Sequence, residues 1–292
     1  MTGTMTRLLT IAATFGSCNG VTHAISLFHK ALQEHGAPVY ILHELVHNST
    51  VTTQMRTQGA VFVESLDEVP RGAMLLIGAH GISLSTEKQL AEHDFSVIDA
   101  TCPLVLHLQD IVSHISPERD LILFGKKGHP ESTGIISRAT AKSIFLIENS
   151  EDITQLPESL NAPVFMAQST MNHLDYARIG TILAERHPGL EIVESVCHAT
   201  HERQKAVLEL AASCDLVIIF GSPHSSNACR LREIAEEGGC RAILAEDWHH
   251  LPDEIANYSN IGISAGASTP VSLVDEAVEH FRQLGFHLES DK

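Results

Sequence analysis

Apolar runs of strand length, each ending at a reactive residue and followed by helical spacing, recur along this chain of 292 residues. Three of them, Leu8–Ala13, Phe95–Ala100 and Leu190–Val196, lead into Cys18, Cys102 and Cys197. Behind each cysteine the apolar period lengthens to that of a helix. Val21, Ala24, Ile25, Phe28, Ala31 and Leu32 mark the first helix, and Leu104, Val105, Leu108, Ile111, Val112 and Ile115 the second. The third runs from Glu202 through Ala206, Val207 and Leu210. Pro103 suits a first helical position, where a missing N–H leaves no bond unmade.

Counting from the cysteines reveals a repeat. Strand Leu121–Phe124 ends in Gly125-Lys126-Lys127-Gly128-His129, and strand Leu216–Phe220 in Gly221-Ser222-Pro223-His224, so that both histidines fall 27 positions after a cysteine. Strand Val164–Met166 runs to Gln168-Ser169-Thr170, and its counterpart Ile261–Ile263 to Ala265-Gly266-Ala267-Ser268-Thr269. The first third is looser: strand Val39–Leu42 leads to His43–Asn48 and strand Met74–Ile77 to Gly78-Ala79-His80-Gly81. Strands alternating with amphipathic helices predict parallel sheets flanked by helices. The expected fold is three small α/β domains, residues 19–102, 103–197 and 198–292 with 1–18. In such sheets ligands bind beyond the carboxyl ends of the strands, where these cysteines, histidines and serines fall.

Composition narrows the function. A formal charge of −17 argues against nucleic acid, which is held mainly by Lys and Arg. A small anion can still be bound by histidines and backbone N–H groups. No apolar run nears the ~20 residues that cross a bilayer, and Met1–Arg7 precedes only a short strand-like run. A cytoplasmic protein is expected, with its six cysteines as reduced thiols or metal ligands. Cys214, Cys229 and Cys240 fit small buried hydrophobes. Cys18, Cys102 and Cys197, each at a helix start, where the dipole favours a thiolate, suggest one shared metal. Their spacing matches neither C-x₂-C zinc modules nor the ferredoxin pattern. A three-thiolate catalytic zinc and an iron–sulfur cluster with one open iron both remain, the wide separation favouring the cluster.

A series of short segments follows one order along the chain: Gly16-x-Cys18-x-Gly20-Val21, His43-Glu44-x-Val46-His47-Asn48, Ala79-His80-Gly81 and Asp99–Val105. They continue with Gly128-His129-Pro130-Glu131, Gln168-Ser169-Thr170, Cys197-x-Ala199-Thr200, Ser225-Ser226-Asn227 and Ala265–Ser268. In these segments the chain resembles the 4-hydroxy-3-methylbut-2-enyl diphosphate reductases. The resemblance implies a pseudo-threefold arrangement of the domains around a 4Fe–4S cluster on Cys18, Cys102 and Cys197, its fourth iron open to the substrate hydroxyl. It implies diphosphate binding by His47, His80, His129, Ser225, Ser226, Asn227 and Ser268. Glu131 would relay protons, with His129 and Ser169 beside it in catalysis; Ser169 replaces the usual threonine. Ferredoxin or flavodoxin would supply electrons.

The chain also departs from the family's pattern. Thr14-Phe15-Gly16-Ser17 stands for Pro-Arg-Gly-Phe before Cys18, Thr22-His23 for Asp-Arg, and His198, His201 and Glu202 interrupt the segment after Cys197. A paralogue with another allylic or diphosphate substrate, or a non-catalytic iron–sulfur sensor, are the alternatives these changes raise. Quinolinate synthase has a similar plan, but Ser225-Ser226-Asn227 and His43–Asn48 favour the reductases.

Overall fold

Parallel pairing begins with the first strand. The computed structural model describes residues 7–289. It opens with β1 (Arg7–Ile11), α1 (Asn19–His35), β2 (Val39–Leu42), α2 (Ser49–Gln58), β3 (Ala60–Val63), β4 (Met74–Ile77), α3 (Leu84–Leu90) and β5 (Ser96–Asp99). Next come α4 (Pro103–Ser113), β6 (Asp120–Phe124), α5 (Pro130–Arg138), β7 (Ser143–Ile147), β8 (Val164–Ala167), α6 (His173–Arg186) and β9 (Glu191–Ile192). The last third holds α7 (His198–Ser213), β10 (Leu216–Phe220), α8 (Ser226–Glu237), β11 (Arg241–Ala245), β12 (Asn260–Ala265), α9 (Val271–Gln283) and β13 (Phe286–Leu288).

These strands make three all-parallel sheets, so the expected three α/β domains are present. Their orders are β3-β2-β4-β5, β7-β6-β8-β9 and β11-β10-β12-β1-β13. All three share one plan. If the strands of each are numbered 1 to 4, with β1 as the fourth of the last sheet, each order reads 2-1-3-4, and β13 adds a fifth strand to the last. Helices cover both faces of such sheets, so central strands are apolar throughout; β6 and β10 are buried at every position. α9 buries one stripe, Leu273, Val274, Ala277, Val278 and Phe281, at helical spacing.

The described chain separates into two compact units. One contains the β2–β5 and β6–β9 sheets; the other contains the β10–β13 sheet with β1. His47–Gln54 belongs to the latter unit although the preceding strand does not. The Met1–Thr6 portion of the N-terminal reading lies outside the described residues.

One expectation needs correction. The apolar run Leu190–Val196 pairs as a strand only at Glu191 and Ile192. Beyond Val193, whose N–H still reaches the Phe165 carbonyl, the Ser195 hydroxyl oxygen accepts the Ala167 N–H at 2.7 Å. A side chain thus takes a ladder position and releases the backbone into the turn that carries Cys197. After α9 the described chain adds β13 to the last sheet. Arg7 pairs in register with Phe286 there.

Candidate active site

Every candidate residue follows the carboxyl end of a parallel strand, and in the shared 2-1-3-4 plan the three cysteines take equivalent places. Strands numbered 4, which are β1, β5 and β9, precede Cys18, Cys102 and Cys197. Strands numbered 3 precede His80, Ser169 and Ser268. Strands numbered 1 precede His47, His129 and the Ser225–Asn227 segment. The order reverses between strands 1 and 3, the position at which open α/β sheets leave a crevice.

In the unit with two sheets, backbone bonds link the functional residues in series. The Cys102 N–H donates to the Ala79 carbonyl at 3.0 Å, next to His80. Gly78, before it, admits no side chain, since a Cβ would lie 2.4 Å from the Glu44 carbonyl oxygen. The His80 and His129 rings meet edge to face, centroids 5.4 Å apart. His129 caps α5, its Nδ1 accepting the Glu131 N–H at 3.2 Å. Glu131 is 1% exposed, and its Oε1 accepts the Ser169 N–H at 2.7 Å. The Ser169 carbonyl in turn accepts the Cys197 N–H at 2.9 Å. Burial raises the Glu131 pKa, opposed by the backbone and hydroxyl of Ser169. The plain alternative for Glu131, a solvated first-turn acid, is excluded by that burial.

The other unit holds the remaining candidates. The Cys18 N–H donates to the Ala267 carbonyl at 3.0 Å, and the Ala267 N–H donates to Asn227 Oδ1 at 2.9 Å. The Ser268 hydroxyl donates to the His47 carbonyl at 2.9 Å. Asn48, beside His47, accepts the Val51 N–H at 3.0 Å. Ser225 is the N-cap of α8, its Oγ accepting the Ala228 N–H, and Ser226 is half-buried behind it. Asn227 is 4% exposed, yet its Nδ2 has no hydrogen-bond partner among the described residues. A buried amide donor left open at a helix N-terminus suits an anionic oxygen.

Cys18, Cys102 and Cys197 form no disulfide among the described residues and are half-buried, and each immediately precedes a helix. Thiols are soft donors of the kind that zinc and iron–sulfur clusters take. Cys240 is buried as expected, but Cys214 and Cys229 are only half-buried. Sequence reasoning gives no role to Asp99 within the segment Asp99–Val105; its Oδ1 accepts the Thr101 N–H at 2.9 Å and shapes the turn before Cys102. An acidic residue before an apparent loop is the signal it leaves. Arg203 was overlooked as well.

Comparison with known proteins agrees with this geometry. A family profile described as LytB protein matches residues 9–282. The 4-hydroxy-3-methylbut-2-enyl diphosphate reductase of Hahella chejuensis is 40% identical over 92% of this chain and 88% of its own length. That of Actinobacillus succinogenes is 41% identical over the same shares. Among solved structures, the E-1-hydroxy-2-methyl-but-2-enyl-4-diphosphate reductase of Plasmodium falciparum superposes with a TM-score of 0.92 at 31% identity, over 97% of this chain and 91% of that one. A second, described as (E)-4-hydroxy-3-methyl-but-2-enyl diphosphate reductase, gives 0.66 at 29% identity, over 95% and 99%.

Proposed function

The chain belongs to the LytB family, and from that premise we propose that it reduces 4-hydroxy-3-methylbut-2-enyl diphosphate to isopentenyl and dimethylallyl diphosphate. Two electrons and two protons enter; the allylic C–O bond breaks and the hydroxyl leaves as water. Cys18, Cys102 and Cys197 are the residues that would hold a 4Fe–4S cluster. When bound, such a cluster supplies Lewis acidity toward the hydroxyl and the two electrons, one at a time.

The observation that carries the reading is the buried Glu131 carboxyl, which a sensor of redox state or iron would not need. Hydroxide leaves poorly, so a proton must reach the oxygen as the bond breaks. With its pKa raised by burial, Glu131 keeps its proton to higher pH than a solvated carboxylate. The Ser169 N–H fixes Oε1 and so aims the second oxygen, and His129 holds the backbone of Glu131. The substrate diphosphate is assigned to His47, His80, His129 and Ser268, with Ser225, Ser226 and the open Nδ2 of Asn227. Imidazole, hydroxyl and amide donors allow an acidic protein to hold an anion without a basic surface.

The electron donor is assigned to the ferredoxin or flavodoxin class. The site of action is assigned to the cytoplasm, where glutathione and thioredoxin keep free thiols reduced. None of the described helices is long and apolar enough to cross a membrane. The domain limits proposed are residues 19–102, 103–197 and 198–292 with 1–18, each junction following a cysteine.

Anaerobic turnover of the diphosphate by reconstituted protein with a chemical reductant tests the reading. Isopentenyl and dimethylallyl diphosphate are the expected products. A fully loaded cluster with no product would overturn it in favour of a paralogue.

A further inference from the structure

Arg203 stands on α7 among His201, Glu202 and Lys205, a run that reads as a solvated face, yet it is 4% exposed. Its guanidinium donates twice to one acceptor, the Gly16 carbonyl, from Nε at 3.1 Å and Nη2 at 2.6 Å. Nη1 donates to the Ala199 carbonyl at 2.6 Å, within its own helix. A carbonyl oxygen has two lone pairs, and the planar guanidinium fork can engage both; an ammonium cannot copy that geometry.

Gly16 begins the turn that ends at Cys18. Its φ is +73°, and a Cβ there would lie 3.2 Å from Val271 Cγ2 and 3.3 Å from the Thr269 carbonyl oxygen. The turn is bonded to the loop after β12 through three donors. The Gly16 N–H reaches Ala265 at 3.2 Å, the Ser17 hydroxyl Thr269 at 3.1 Å and the Cys18 N–H Ala267 at 3.0 Å. Arg203 bonds the same turn to α7, which begins one residue after Cys197.

We propose that Arg203 is a positioning residue for Cys18: by clamping the Gly16 carbonyl to α7 it presents the Cys18 thiol in one orientation for iron. The proposal rests on the assignment of Cys18 as a cluster ligand. Arg203 touches no reacting atom and acts through the backbone two residues before the thiol. Loss of a charge-assisted pair leaves the Gly16 carbonyl short of donors, and the turn opens more often.

The test uses full-length Arg203→Met and Arg203→Lys chains, first without metal. Alkylation of each cysteine by iodoacetamide is followed by peptide mass mapping, with far-UV circular dichroism as the check on folding. Cys18 is expected to react about tenfold faster in Arg203→Met, with Cys214 and Cys240 unchanged and an intermediate rate in Arg203→Lys. After anaerobic reconstitution, the variants should lose iron to a chelator faster than wild type and show a shifted midpoint potential.

An unchanged Cys18 rate in a folded variant overturns the proposal. So does an equal rise at all cysteines, which marks general loosening of the unit. If Arg203→Met does not fold, Arg203→Lys decides. Failure of the wild-type chain to take up iron would remove the cluster assignment, while the alkylation arm would still decide whether Arg203 holds the turn.

Discussion

Glu131 and Asn227 each bury a polar side chain that the fold alone does not require, and each can be tested by a near-isosteric change. The folded chain binds the Glu131 proton more tightly than the unfolded chain does, since burial raises its pKa. The stability linked to that proton is complete below the ordinary carboxylate range and is lost as pH rises through the raised value. Metal-free Glu131→Gln should therefore melt above wild type at pH 8, with the gap closing near pH 4; a lower melting temperature at pH 8 contradicts the burial argument. Its turnover should fall by roughly 10²–10⁴-fold, the range of general acid catalysis. Asn227→Asp keeps the oxygen that accepts from Ala267 but replaces the open donor with a charge. KM for the diphosphate should rise about tenfold or more with the fold intact, and an unchanged KM would take Asn227 out of the binding set. The residue types and spacing that mark these positions are legible in the sequence. Their burial is not, because it depends on what the neighbouring loops place over them; the burial of Arg203 is illegible for the same reason.

Among elements, continuous apolar runs told the truth about interior strands: β2, β4 and β10 fall where the sequence places them. Parallel strands covered on both faces leave little room for another reading. The run before Cys197 misled because apolar residues can be buried without being paired. Only the Ser195 hydroxyl, local and invisible to periodicity, explains where β9 stops. Ser195→Ala would leave the Ala167 N–H buried and unbonded, at a cost of about 1–3 kcal/mol. The segments on either side carry Ser169 and Cys197, so thermal unfolding of metal-free protein should shift down. Hydrogen exchange should rise in peptides covering 165–170 and 193–198. Protection there equal to wild type would assign the stop of β9 to something else.

For the whole molecule, the three parallel sheets were legible as a repeat, whereas their common strand order and the grouping of His47–Gln54 with the unit built on the β10–β13 sheet were not. That grouping depends on packing far along the chain, to which a local pattern is blind. The proposed cluster joins ligands from three strand-to-helix junctions, so its binding energy should add to folding stability. Anaerobic removal of iron should lower the melting temperature and speed proteolysis; a metal-free chain as stable as the loaded one would argue that the three thiols do not share a metal.

β1 lies between β12 and β13, so one sheet is made from the first and last segments of the chain. Arg7 fastens this closure, donating to the Leu284 carbonyl at 2.8 Å with its guanidinium 4.1 Å above the Phe286 ring. On the ribosome, at ~5–20 residues per second, β1 therefore emerges early and waits on the order of tens of seconds for its partners. The β2–β5 and β6–β9 sheets can assemble as they are synthesised. The strand leading to Cys18 cannot, and Cys18, made before Cys102 and Cys197, is the last of the three to gain its sheet.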